Sequence, residues 1–307
     1  MTKAQICIMI SIVVYLVAMV MIGVIYSKKT KNVGDFYLGG RKLGPLVTAM
    51  SAEASDMSSY LLMGLPGLAL VSGLAEVGWT VIGLAIGTYL NWLIVAKKLR
   101  KYSARINAIT IPDYFSKRYK DNSRLIMAVA ALMIIIFFVP YTASGFAACG
   151  KLFGTLFGID YHIAMVVSAI VIVGYTSLGG FNAASMTDFI QSIIMTAALI
   201  IVLVFGVNKA GGMEQVIANA NDLAGYLDVF KGYDAATNSA GSFGAIKVVS
   251  TLAWGLGYFG MPHILLRFMA IEDPNKVKIS RRVAEIWVVI SMAVAVLIGV
   301  VGMAMVK

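Results

Sequence analysis

The chain has 307 residues, 60% hydrophobic and 13% charged, and its 25 basic and 15 acidic residues leave a net charge of +10. Soluble domains carry about 25% charged residues, so disorder, a coiled coil and an ordinary soluble enzyme are excluded and a polytopic membrane protein remains. Cys7 and Cys149 cannot build a disulfide framework or a four-ligand metal site, and His162 and His263 lie too far apart in sequence to suggest a metal cluster.

A helical crossing takes about 20 mostly apolar residues. Eight runs qualify: Ala4–Tyr26, Val47–Leu65, Leu74–Ala96, Leu125–Ala148, Tyr161–Leu178, Phe189–Val207, Val248–Met269 and Ile286–Met305. The first exceeds a signal-peptide core of about 7–15 residues, and Lys28, Lys29 and Lys31 follow it rather than precede it. It reads as a retained helix. In the third, Gly83 and Gly87 form a small-xxx-small pair that helix packing explains. Pro140-Tyr141 in the fourth predicts a kink beside an aromatic ring. Residues 208–241, rich in Gly, Asn, Ala and Asp, read as a surface loop with a short helix over Met213–Leu223.

The basic residues give the orientation. With Arg267 counted in the segment after the seventh run, the segments after the first, third and seventh runs hold five, nine and five of the 25, all on one side of an eight-span chain. That side is expected to be cytoplasmic, with the N-terminus outside. The net charge is thus a topology signal and not a nucleic-acid patch.

Two runs break membrane rules. Glu53 and Asp56 lie inside the second, among Ser51, Ser55 and Ser58 and just before Gly64-Leu65-Pro66-Gly67. A charge at a helix centre costs about 2.5–3.5 kcal/mol on insertion scales unless it faces water, a cation or a partner. The alternative is that the span starts late and the acidic stretch lies at the interface. The seventh run holds Trp254-Gly255-Leu256-Gly257-Tyr258-Phe259-Gly260-Met261-Pro262-His263. Its formal G-x-G-x-x-G follows no strand and is discarded as a nucleotide motif. If helical, Trp254, Tyr258 and Pro262 share one face, lining a site or packing as core. Interrupted apolar segments in corresponding positions of two halves point to the binding site of an inverted-repeat transporter, where freed carbonyls coordinate a small hard cation such as Na⁺.

At these residues the sequence resembles the solute:sodium symporter family, and within it the bacterial sodium/proline symporters. The matching stretches are Leu38-Gly-Gly-Arg41 with Leu43-Gly-Pro45, Ser51 through Ser58 with Leu61 to Gly67, Ile111-Pro-Asp-Tyr-Phe115, Tyr141 to Gly145, Gly179-Gly-Phe181 with Thr187-Asp188, and Trp254 to Gly260 with Pro262-His263. The resemblance implies an all-α polytopic membrane protein with a LeuT-like core of inverted five-helix repeats after one extra helix, coupling Na⁺ entry to proline uptake. Residues 1–307 are expected to form one membrane-embedded transporter domain, with residues 43–207 as the first repeat and residues 243–307 as the first two helices of the second. The family has about thirteen helices, so the chain is expected to be a fragment of a longer product or a natural truncation.

Carried over by position, the resemblance implies that the carbonyls of Ala54 and Met57 contact Na⁺. Asp56 and Asp188 support the ion or its path, and Ser58 lies between ion and substrate. Tyr60, Tyr141, Trp254, Tyr258 and Pro262 line the substrate pocket, and Arg41 serves coupling from the cytoplasmic side. Tyr60 stands where proline symporters have Trp, and Met261 where Gln is expected; both bear on solute preference. Glu53 takes no family role. Expected partners are proline or a similar small solute, Na⁺ as the co-transported ion and the lipid bilayer of a bacterial plasma membrane, with no cofactor, no nucleic acid and no enzymatic activity. Alternatives are a sodium symporter for another small solute, a non-transporting sensor or binding module, and an intramembrane enzyme.

Overall fold

A computed structural model describes residues 2–306 and is almost entirely helical. In chain order the helices are α1 (Lys3–Ser27), α2 (Val33–Leu38), α3 (Pro45–Ser59), α4 (Leu65–Asn91), α5 (Lys97–Arg105), α6 (Ile111–Arg118), α7 (Leu125–Phe157), α8 (Tyr161–Lys209), α9 (Met213–Asn221), α10 (Ala245–Leu252), α11 (Pro262–Ala270) and α12 (Val277–Val306). A hairpin of β1 (Lys231–Asp234) and β2 (Ser239–Ser242) follows α9, in antiparallel register from Lys231 opposite Ser242 to Asp234 opposite Ser239.

Among the described residues, five continuous helical stretches are long and apolar enough to cross a membrane. The two longest of them each contain two of the eight apolar runs, and the seventh run is not among the five. Pro45–Arg105 runs for 61 residues and Tyr161–Lys209 for 49. As one straight helix at 1.5 Å per residue the first would be about 90 Å long, three times a hydrocarbon core. Glycine divides both: Gly73 (φ +67°, ψ −165°) and Gly180 (φ +62°, ψ −157°) occupy a region that only glycine enters freely. The second span accordingly reaches Ser72 rather than Leu65, and the sixth begins just after Gly180 rather than at Phe189. The seventh is not a continuous helix at all. Between α10 and α11, Ala253–Gly260 is 3₁₀-helical.

The chain forms two compact units, and the division falls inside α3, between Ser51 and Ala52, and inside α8, between Phe189 and Ile190. The first unit comprises Met1–Ser51, Lys98–Phe189 and Leu265–Pro274. Here Thr2 and Gln5 cap α1 reciprocally, and the Gln5 amide donates to the Leu156 carbonyl at 3.1 Å. Gly23 and Gly179 let α1 and α8 approach closely: a Cβ on Gly179 would stand 2.9 Å from the Gly23 carbonyl oxygen. The stretch before α3 is tied to the end of α11 by a parallel bridge, Leu43 N–H to Ala270 O at 3.2 Å and Glu272 N–H to Leu43 O at 2.9 Å.

The second unit comprises Ala52–Lys97, Ile190–Ile264 and Asn275–Lys307. Its centre is α4, which packs on α12, α10, the 3₁₀ segment and β1. The expected short helix in the 208–241 loop is α9. The hairpin beside it lies within the stretch that reads as loop in the sequence. Val216, Leu223, Tyr226, Tyr233 and Val300 form a local core under this loop. The Tyr226 hydroxyl donates to Ala69 O and the Trp79 indole to Val229 O, both at 2.8 Å.

Candidate transport site

In the second unit the helical register fails at Ser58, whose φ of +42° and ψ of −151° lie outside helical geometry. Wide-turn π-helical backbone follows over Tyr60–Gly64. Such an interruption releases carbonyls of the turn before it, and that turn holds Ala54 and Met57, both buried. Asp56 lies on the same turn. Its Oδ1 is 3.3 Å from the His263 Nε2, on largely buried side chains. His263 drew no role in the sequence because its partner is 207 residues away.

Glu53 is fully buried, and Trp92 Nε1–H donates to its Oε1 at 2.9 Å. The acidic stretch does not open its helix, since α3 begins at Pro45. Trp92→Phe keeps the ring but removes that donor, so a loss of about 1–3 kcal/mol is expected, read as a lower melting midpoint in detergent. An unchanged midpoint would mean the indole bond contributes nothing to holding the carboxylate.

The 3₁₀ segment corrects the shared-face expectation. Trp254 is 54% exposed while Tyr258 is 4% exposed, because a three-residue turn does not align i and i+4. Trp254 instead packs on Tyr60, with ring centroids 5.4 Å apart. The Tyr60 hydroxyl is buried and has no hydrogen-bond partner among the described residues. The Asn91 amide donates to Tyr258 O at 2.8 Å, fastening the segment to α4. Gly83 and Gly87 permit the contact, since a Cβ on Gly83 would lie 2.7 Å from the Leu252 Cα. Pro262 opens α11 after the extended Met261.

The first unit holds Arg41, Tyr141 and Asp188. Arg41 donates to Ser103 Oγ, Met269 O, Ser103 O and Ala108 O at 2.6–3.1 Å. Burial first, and then the like charge of Arg100, lowers its affinity for its proton below that of a free guanidinium. Asp188 accepts from Arg267 Nη2 at 2.6 Å and from Ser51 Oγ at 2.8 Å, and Arg267 Nε donates to Ser51 Oγ at 2.6 Å. Arg267 is 6% exposed. It is not a loop charge, and the segment after the seventh run holds four basic residues without it. The signal was present: Arg267 falls inside the apolar run Val248–Met269, where a charge demands a partner. Tyr141 packs on Phe138 within α7, 5.6 Å between centroids, and α7 continues unbroken through Pro140.

A family model described as the Sodium:solute symporter family matches residues 36–307. The chain is 44% identical over 299 residues to the osmoregulated proline transporter OpuE of Bacillus subtilis, covering 97% of this chain and 58% of that protein. It is 41% identical over 298 residues to the sodium/proline symporter of Escherichia coli, covering 96% and 57%. A solved structure of a Na⁺-coupled sialic acid symporter in a substrate-bound outward-open state superposes with a TM-score of 0.76 at 20% identity, covering 94% of this chain and 58% of that one. The chain spans under three fifths of the length of each of these proteins.

Proposed function

Because the chain belongs to the sodium:solute symporter family, whose members are transporters and not enzymes, we propose that the gene product carrying it is a multi-pass membrane protein that imports proline with Na⁺. The observation that carries this reading is the paired interruption of apolar helices, at Ser58 and over Ala253–Gly260. Broken helices at membrane depth are the usual seat of ion and substrate sites in such folds. The relatives named for proline transport supply the solute.

In this mechanism the carbonyls of Ala54 and Met57, with Asp56 and Ser58, hold Na⁺. Tyr60, Tyr141, Trp254, Tyr258 and Pro262 contact the solute, with Ser58 between the two. Arg41 couples cytoplasmic closure to the ion. Asp188 serves the ion's path only after its pair with Arg267 is released. Residues 43–207 form the first repeat and residues 243–307 the start of the second, in a bacterial plasma membrane with the N-terminus outside. One Na⁺ crossing a tenfold gradient and 100 mV yields about 3.7 kcal/mol, enough for a several-hundredfold solute gradient. A related small solute is the second reading, favoured by the unpartnered buried hydroxyl of Tyr60.

Asp56→Asn and Trp254→Ala separate the two roles. The first is expected to raise the Na⁺ concentration for half-maximal proline uptake, the second to raise the KM for proline at saturating Na⁺. Equal shifts in both parameters from both variants would contradict the division.

A further inference from the structure

The first unit contains a cavity of about 450 Å³ that the transport reading does not use. It lies where α1 ends, between the 29–47 segment and α8, and Lys29, Lys31 and Lys42 stand at its rim, all exposed. Asp35 is the acidic group there, and it is engaged in fixing the loop: its Oδ2 accepts from the Lys31 N–H at 3.2 Å. Two of the three ammonium charges are thus left without a compensating carboxylate in the cavity. Leu43, Val47 and Met186 add aliphatic surface to the lining, beside Tyr26 and Asn182.

Position adds to this. α1 is a 25-residue apolar helix whose Val17, Met21, Val24 and Ile25 are exposed, as they must be where the surrounding medium is hydrocarbon. Its last turn therefore sits at the membrane–water boundary, and the cavity with it. A pocket lined by both cationic groups and aliphatic side chains, at that depth, matches an anionic amphiphile.

We infer that this cavity binds the phosphate group of an anionic phospholipid, with Lys29, Lys31 and Lys42 on the phosphate and Leu43, Val47 and Met186 against the start of the acyl chain. The reading is independent of the transported solute and ion.

The test is a titration of the purified chain, in neutral detergent, with fluorescent short-chain phosphatidylglycerol and phosphatidylcholine. The anionic lipid is expected to bind about thirtyfold tighter, the factor two uncompensated charges supply at such a surface. Lys29→Gln/Lys31→Gln/Lys42→Gln removes that preference. Lys97→Gln/Lys98→Gln/Lys101→Gln, an equal charge loss at other exposed lysines, retains it. Lys42→Gln alone, at an exposed side chain, weakens it partially and guards against misfolding of the triple variant. Competition by inorganic phosphate separates the sources: displacement assigns the site to phosphate from any carrier, and its failure assigns it to the lipid. Equal binding of the two lipids, or equal losses in the two triple variants, would overturn the inference.

Discussion

Arg267→Gln is expected to destabilise the protein by about 3 kcal/mol, the lower end of the range for a fully buried pair, because it leaves the Asp188 carboxylate, 17% exposed, without its cation. The pair is short, at 2.6 Å, the arginine side chain is 8% exposed, and Ser51 bonds to both partners. Removing one member strands a charge in a medium that cannot solvate it. Removing both does not, so Arg267→Met/Asp188→Leu is expected to lose less than Arg267→Gln alone. Denaturant unfolding in detergent micelles, with the double variant beside each single one, checks this. Additive losses would mean that the two residues do not act as a pair.

Gly255→Val should be as damaging in the second unit. A Cβ at Gly255 would overlap the Gly83 carbonyl and stand 3.1 Å from the Gly87 Cα. The obstructing atoms are backbone on α4, and they cannot turn aside as a side chain does. Overpacking typically costs about 1–3 kcal/mol, and a backbone-on-backbone contact belongs at or above the top of that range. Gly257→Ala is the control, since its Cβ would enter open space; about 1 kcal/mol or less is expected. The measurement is the melting midpoint of each variant. Equal midpoints for the two would remove close backbone approach as the reason for glycine at 255.

The sequence is a good guide where the membrane imposes the pattern. The ends of α1, the short α9 and the break at Gly255–Gly260 follow from hydrocarbon thickness, polar composition and glycine content. It is a poor guide where one residue decides. Gly73 and Gly180 divide long helices through a φ that composition cannot reveal, so the end of the second span and the start of the sixth are misplaced by several residues. The hairpin at 231–242 is short and polar, and its stability comes from Tyr226 and Tyr233 packing on distant Val300. Of the site residues, Asp56, Trp254 and Tyr258 are legible as anomalies in apolar runs. Their partners are not: His263 and Trp92 become meaningful only once chain segments far apart in sequence are brought together. Arg267 is legible as a charge inside an apolar run, while its partner Asp188 is 79 residues away.

The central claim is that Na⁺ drives proline import through the broken-helix site. Uptake of radiolabelled proline into proteoliposomes containing the gene product that carries these 307 residues tests it most directly, with an inward Na⁺ gradient against an equal K⁺ gradient. The account predicts accumulation above equilibrium with Na⁺ and its loss with K⁺. Proline uptake of the same rate and extent in both would contradict it.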